Sequence, residues 1–105
     1  MSKINIMLVC SAGMSTSMLV TRMEKAAESA EIEANIFAVS ADEADDHIDK
    51  GGLDVLLLGP QVKFMKDKFV KKTEGTSILV DVIDMKDYGI MNGEKVLNDT
   101  MEKLK

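Results

Sequence analysis

Cys10 is the only cysteine in a chain of 105 residues, and its immediate neighbours are unusual for a packing residue. The run Cys10-Ser-Ala-Gly-Met-Ser-Thr-Ser17 places four hydroxyl side chains (Ser11, Ser15, Thr16, Ser17) and a glycine directly behind a thiol. An apolar segment over residues 4–9 leads into it, and a helical pattern over 15–30 leads out. A strand that stops at a cysteine, a loop of small residues, then a helix start is the layout of an anion cradle, with Cys10 at its mouth. Ala12 and Gly13 leave the loop N–H groups uncovered. The first turn of the helix adds unpaired N–H groups and the positive end of its dipole. One stretch thus offers a sulfur nucleophile and a site for the phosphate group it would attack. The plainer reading is that a lone cysteine ending an apolar strand is a small buried hydrophobe. A packing cysteine, however, needs none of the hydroxyl residues that succeed this one.

The elements that must position this stretch alternate between the two regular periodicities. Residues 4–9 are apolar at nearly every position and read as a strand buried on both faces. The helix over 15–30 carries Met18, Leu19, Met23, Ala26, Ala27 and Ala30 at helical spacing, with Arg22, Glu24, Lys25 and Glu28 on the other side. A second strand over 32–39 begins with alternation, which suits an exposed edge. Ser40 and Glu43 form a capping box for a short second helix that Gly51 and Gly52 end. A third strand over 54–58 is again apolar throughout. Gly59-Pro60-Gln61 turns the chain into a helix over 61–72, with Val62, Met65, Phe69 and Val70 inward and Lys63, Lys66, Lys68 and Lys71 outward. Residues 77–82 form a fourth strand. A polar loop over 84–89, holding the only tyrosine, Tyr88, precedes a last helix that starts at Asn92 or Gly93.

Strands alternating with helices predict an α/β fold: an open three-layer sandwich in which a four-stranded parallel sheet has helices on both faces. Two buried strands and one exposed strand give the order 2-1-3-4. The binding crevice of such a sheet lies at the carboxyl ends of its strands, at the switch point between the first and third. The loops over 10–17, 59–61 and 84–89 meet there.

Composition narrows the function. The chain is read as one domain, residues 1–105, with an ordinary apolar fraction of 46%. A net charge of −5 argues against nucleic acid, which demands basic patches. One cysteine excludes an internal disulfide and fits a reducing, cytoplasmic setting. No signal peptide and no membrane-length apolar run are visible. The acidic segment Asp42, Glu43, Asp45, Asp46, His47, Asp49 invites a metal reading, but it lacks ligand spacing and reads as a solvated helix face. No metal and no cofactor are expected.

A nucleophilic cysteine in a phosphate cradle suggests phosphoryl transfer through phosphocysteine. Low-molecular-weight tyrosine phosphatases are built this way, with an arginine six residues after the cysteine. Here that position is Thr16, and Arg22, the only arginine, lies well inside the helix. Without a bidentate guanidinium the transition state of hydrolysis is poorly stabilised, even with Asp84 or Asp87 as a possible general acid. A cradle that forms phosphocysteine without readily hydrolysing it suits a relay; a phosphatase-like hydrolase and a non-catalytic phosphate-binding module are the alternatives.

Three stretches carry a closer resemblance: Ile6-Met-Leu-Val-Cys-Ser-Ala-Gly-Met-Ser-Thr-Ser17, Val55-Leu-Leu-Leu-Gly-Pro-Gln61, and Val82-Ile-Asp84 with Asp87-Tyr-Gly-Ile-Met-Asn-Gly93. Together they resemble the IIB component of the bacterial sugar phosphotransferase system, of the lactose/cellobiose (N,N′-diacetylchitobiose) type. The resemblance implies a phosphatase-like α/β fold and a protein-N(π)-phosphohistidine–sugar phosphotransferase activity. It implies that Cys10 accepts a phosphoryl group from a phosphohistidine of the IIA protein. Cys10 would pass that group to a sugar held by the membrane IIC transporter, with the chain in the cytoplasm and meeting the membrane transiently through that transporter. Ser11, Ala12, Gly13, Met14, Ser15, Thr16 and Ser17 would hold the phosphoryl oxygens, mainly through backbone N–H groups, with Ser15 or Thr16 as a side-chain donor. Met14, Met18, Pro60, Gln61, Val62 and Tyr88 are expected on the rim where partners dock.

Overall fold

A computed structural model describes residues 3–10 and 14–104, without the side chains of Met14 and Ser15. In chain order the elements are β1 (Ile4–Cys10), α1 (Met14–Ser29), β2 (Ala34–Ser40), α2 (Ala41–Lys50) and β3 (Val55–Leu58). A 3₁₀ helix (Pro60–Met65), α3 (Lys66–Lys72), β4 (Leu79–Val82), α4 (Met85–Gly89) and α5 (Gly93–Leu104) complete the chain. The four strands form one parallel sheet in the order β2-β1-β3-β4, as the strand patterns predict.

β1 and β3 are central because their side chains are apolar at every buried position, so neither face can meet water. Their alternation divides the core between two layers. Ile6, Leu8, Val55 and Leu57 point to one face and pack with Leu19, Met23 and Ala27 of α1 and Val96 and Leu97 of α5. Met7, Val9, Leu56 and Leu58 point to the other and pack with Ala44 and Ile48 of α2, Val62 and Phe69. Burying each of these aliphatic side chains contributes about 1.5–3 kcal/mol. The central strands therefore hold the sheet. The α1–α5 seam is equally tight: a Cβ on Gly93 would stand 2.6 Å from the backbone of Arg22 and Met23. Only glycine admits so close a crossing.

Several expectations are corrected. The segment over 84–89 is the short helix α4 rather than a polar loop, because Asp84 caps it: its carboxylate accepts the N–H groups of Lys86 and Asp87. The helix expected over 61–72 opens as a 3₁₀ helix with a kink at Val62. The tighter winding shifts the faces downstream, so Phe69 is fully buried whereas Val70 is exposed. Val62 packs into the core, which removes it from the docking rim.

Candidate active site

β1 runs one residue further than its apolar pattern suggests and ends on Cys10, which pairs in register with Ser40 at the end of β2. Two helices begin beside it. α1 starts at Met14, four residues on, and α2 starts at Ala41, the residue after Ser40. Ser40 donates its hydroxyl to Glu43 Oε1 at 3.1 Å, the pairing expected from the capping-box pattern. The N-terminal, electropositive ends of both helices thus lie at the cysteine end of the sheet. The thiol itself is covered: Cys10 is 1% exposed, where the sequence puts it at a mouth.

Ser11, Ala12 and Gly13 lie outside the described residues, as do the side chains of Met14 and Ser15. The remaining loop residues divide sharply. Thr16 is 1% exposed and its Oγ1 lies 3.1 Å from the Tyr88 hydroxyl. Ser17 is exposed, and its carbonyl accepts the Thr21 hydroxyl. Of the expected rim, Met18 and Gln61 are exposed and Pro60 is half-buried. Tyr88 is not a rim residue in the ordinary sense: it is buried, with its ring beside Gly59 and its hydroxyl on Thr16. The expected polar loop would leave it exposed; the capped helix α4 turns it inward instead.

The turn after β3 closes on β1. Gly59 donates its N–H to the Val9 carbonyl at 2.9 Å, one residue beyond Leu58 of the last β1–β3 pair, Val9–Leu58. A Cβ at Gly59 would meet Gln61 Oε1 at 2.8 Å and the Val9 carbonyl at 3.5 Å. Arg22 stands apart: its guanidinium reaches the Met91 carbonyl at 3.4 Å on the exposed side of α1. His47 packs its ring on Phe37, 5.1 Å between centroids, away from the cysteine end of the sheet's first pair.

Sequence reasoning missed two features. One is a pair of exposed apolar residues, Phe64 (79% exposed) and Met85 (67%), on segments that start at strand carboxyl ends; they join Met18 (55%), which was expected on the rim. Their periodicity does not distinguish them from core residues. The other is the charged support of α4. The nearly buried Asp87 carboxylate pairs with Lys95 at 3.1 Å, and Lys95 also pairs with Asp99 at 2.9 Å. The hydrogen bonds to Asp99 and then Asp87 hold the Lys95 ammonium well above the usual lysine range, against a smaller opposing effect of burial. The pattern Asp84-Met-Lys-Asp87, an N-cap with an acidic first turn behind it, was the available signal.

Comparison with known proteins gives the family of this cysteine-ended strand and its fold. The family model described as PTS system, Lactose/Cellobiose specific IIB subunit matches residues 5–99. The chain belongs to the lactose/cellobiose-specific IIB family. It is therefore a IIB component of a sugar-specific phosphotransferase system (PTS), a phosphotransferase domain. It is 50% identical over 95 residues to the PTS system cellobiose-specific EIIB component of Lactococcus lactis subsp. lactis (strain IL1403), covering 88% of each chain. It is 43% identical over 96 residues to the PTS system oligo-beta-mannoside-specific EIIB component of Bacillus subtilis (strain 168), covering 91% of each. Among solved structures it matches the cellobiose-specific phosphotransferase IIB component protein from Borrelia burgdorferi with a TM-score of 0.75 at 44% identity, over 96% of this chain and 91% of that one. The lactose-specific IIB component domain from Streptococcus pneumoniae shares the fold, with a TM-score of 0.84 at 16% identity, over 96% and 97%. Among the described residues no helix is long and apolar enough to cross a membrane.

Proposed function

We propose that this IIB component is a phosphocarrier in which Cys10 takes a phosphoryl group from a phosphohistidine of the IIA protein and gives it to a sugar held by the IIC transporter. The observation that carries the reading is the place of Cys10: it ends the central strand β1, with α1 starting four residues later. In the first step Cys10 Sγ, as thiolate, attacks phosphorus in line with the P–N bond. The S–P bond forms, the P–N bond breaks, and its electron pair stays on the imidazole nitrogen, which takes up a proton. In the second step a sugar hydroxyl oxygen attacks the phosphorus. The O–P bond forms, the S–P pair returns to sulfur, and the hydroxyl proton leaves to water or a base beside the sugar.

Little covalent chemistry falls to the protein, so positioning and fixed N–H dipoles carry the catalysis. The backbone over residues 11–17 would bind the phosphoryl oxygens. The start of α1 would add its dipole, where an anion is favoured by about 0.3–1 kcal/mol even at a surface. Thr16 rather than arginine at the sixth position after Cys10, with Arg22 engaged at Met91, favours relay over hydrolysis. Met18, Pro60, Gln61, Phe64 and Met85 would form the docking rim, used in turn by the IIA protein and the transporter; such transient interfaces are small. The chain would act as a single domain, in the cytoplasm, against the inner face of the membrane. The names of the relatives point to a β-linked oligosaccharide or a hexose such as galactose as the sugar.

The test is a reconstituted relay with Cys10→Ser. The variant should fold with unchanged circular dichroism and carry no phosphoryl group onward. Sugar phosphorylation at the wild-type rate would overturn the role given to Cys10.

A further inference from the structure

Thr16 and Tyr88 are 72 residues apart in sequence, yet their hydroxyl oxygens lie 3.1 Å apart in a buried place. Thr16 is in the first turn of α1, just after the nucleophile loop. The Tyr88 ring reaches the same spot from the other side: a Cβ at Gly59 would lie 3.7 Å from Tyr88 Cε2, and Gly59 is bonded to the Val9 carbonyl. Tyr88 thus touches the start of α1 and the turn that braces the end of β1. α4, which carries it, is only five residues long, so its own helical bonds hold it weakly. It is pinned instead by the Asp84 cap and by Asp87 on Lys95, which Asp99 orients from α5.

We propose that Tyr88 is a positioning residue for phosphoryl transfer: its hydroxyl holds Thr16, and with it the first turn of α1, in place beside Cys10. The inference rests on the phosphocarrier reading. The physical need is clear, because N–H groups stabilise a transferring phosphoryl group only when aimed at its oxygens beforehand. A phenylalanine would fill the same space and touch Gly59 in the same way. The hydroxyl adds the bond to Thr16, and a buried hydroxyl left without its partner is costly.

The experiment measures transfer from phosphorylated IIA protein to wild type, Tyr88→Phe, Thr16→Val and the Tyr88→Phe/Thr16→Val pair. Tyr88→Phe should lower kcat about tenfold, the factor for one hydrogen bond lost from the transition state, with KM for the donor unchanged. Thr16→Val should lose at least as much, and the pair no more than Thr16→Val alone. Amide exchange should quicken in the first turn of α1 while β3 stays protected. A wild-type kcat in Tyr88→Phe, or losses that multiply in the pair, overturns the proposal. So does exchange that quickens throughout, which would make Tyr88 a support of the whole fold. A wild-type protein that takes up no phosphoryl group would instead overturn the phosphocarrier reading along with it.

Discussion

Gly93→Ala tests the seam that holds α1, the helix that starts four residues after Cys10. The added Cβ would lie 2.6 Å from the Arg22 carbonyl carbon, 2.6 Å from the Met23 nitrogen and 2.7 Å from the Arg22 Cβ. Carbon atoms in contact sit about 3.5–4.0 Å apart, so the helices must part by about 1 Å. Two of the three obstacles are backbone atoms inside a helix, which cannot swing aside. Parting the seam loosens Leu19, Met23, Val96 and Leu97, all buried. Overpacking of this kind costs about 1–3 kcal/mol, and rigid obstacles set the expectation at about 3. For a domain near this size that lowers Tm by about 12–15 °C, read by calorimetry or circular dichroism. Gly89→Ala is the control. Nothing lies within 4 Å of its added Cβ and it sits within α4, so alanine should stabilise by about 0.5–1 kcal/mol. A Gly93→Ala protein melting within about 2 °C of wild type would refute the tight α1–α5 crossing.

The site supports two more predictions. Iodoacetamide should alkylate Cys10 far more slowly in the native protein than in urea, because the thiol is 1% exposed; equal rates would refute its burial. Lys95 has its folded-state pKa raised by Asp99 and Asp87, so its stabilisation is complete below the unfolded lysine value of about 10.4 and is lost as pH rises through and beyond it. The difference in denaturation midpoint between wild type and Lys95→Met should therefore stay constant from neutral pH to about pH 9 and shrink above about pH 10.5; a difference already gone at pH 9 would refute the pairing.

The sheet was legible because its order is dictated by burial. β1 and β3 are apolar at successive positions and had to be central, and the alternation at the start of β2 marked an edge. The strand–cysteine–helix layout was legible too, since β1 ends on Cys10 and α1 starts at Met14. What escaped was whatever depended on distant partners. Tyr88 is buried through Thr16, 72 residues away, and through Gly59, and no local pattern encodes either contact. Asp87 looks like a loop charge until Lys95 is seen as its partner. A 3.6-residue count places Val70 inward, and the 3₁₀ start of the segment breaks that count. Val62 fits two incompatible roles by pattern, core and rim, and packing decides for the core.

The most direct measurement is an intact-mass spectrum of the protein after incubation with phosphoenolpyruvate, the general relay proteins and a cognate IIA protein, with free phosphate assayed alongside. A phosphocarrier gains one phosphoryl group, mapped to Cys10 and absent from Cys10→Ser, with little phosphate released until transporter and sugar are added. Phosphate released continuously with no adduct, or an adduct on another residue, would contradict it.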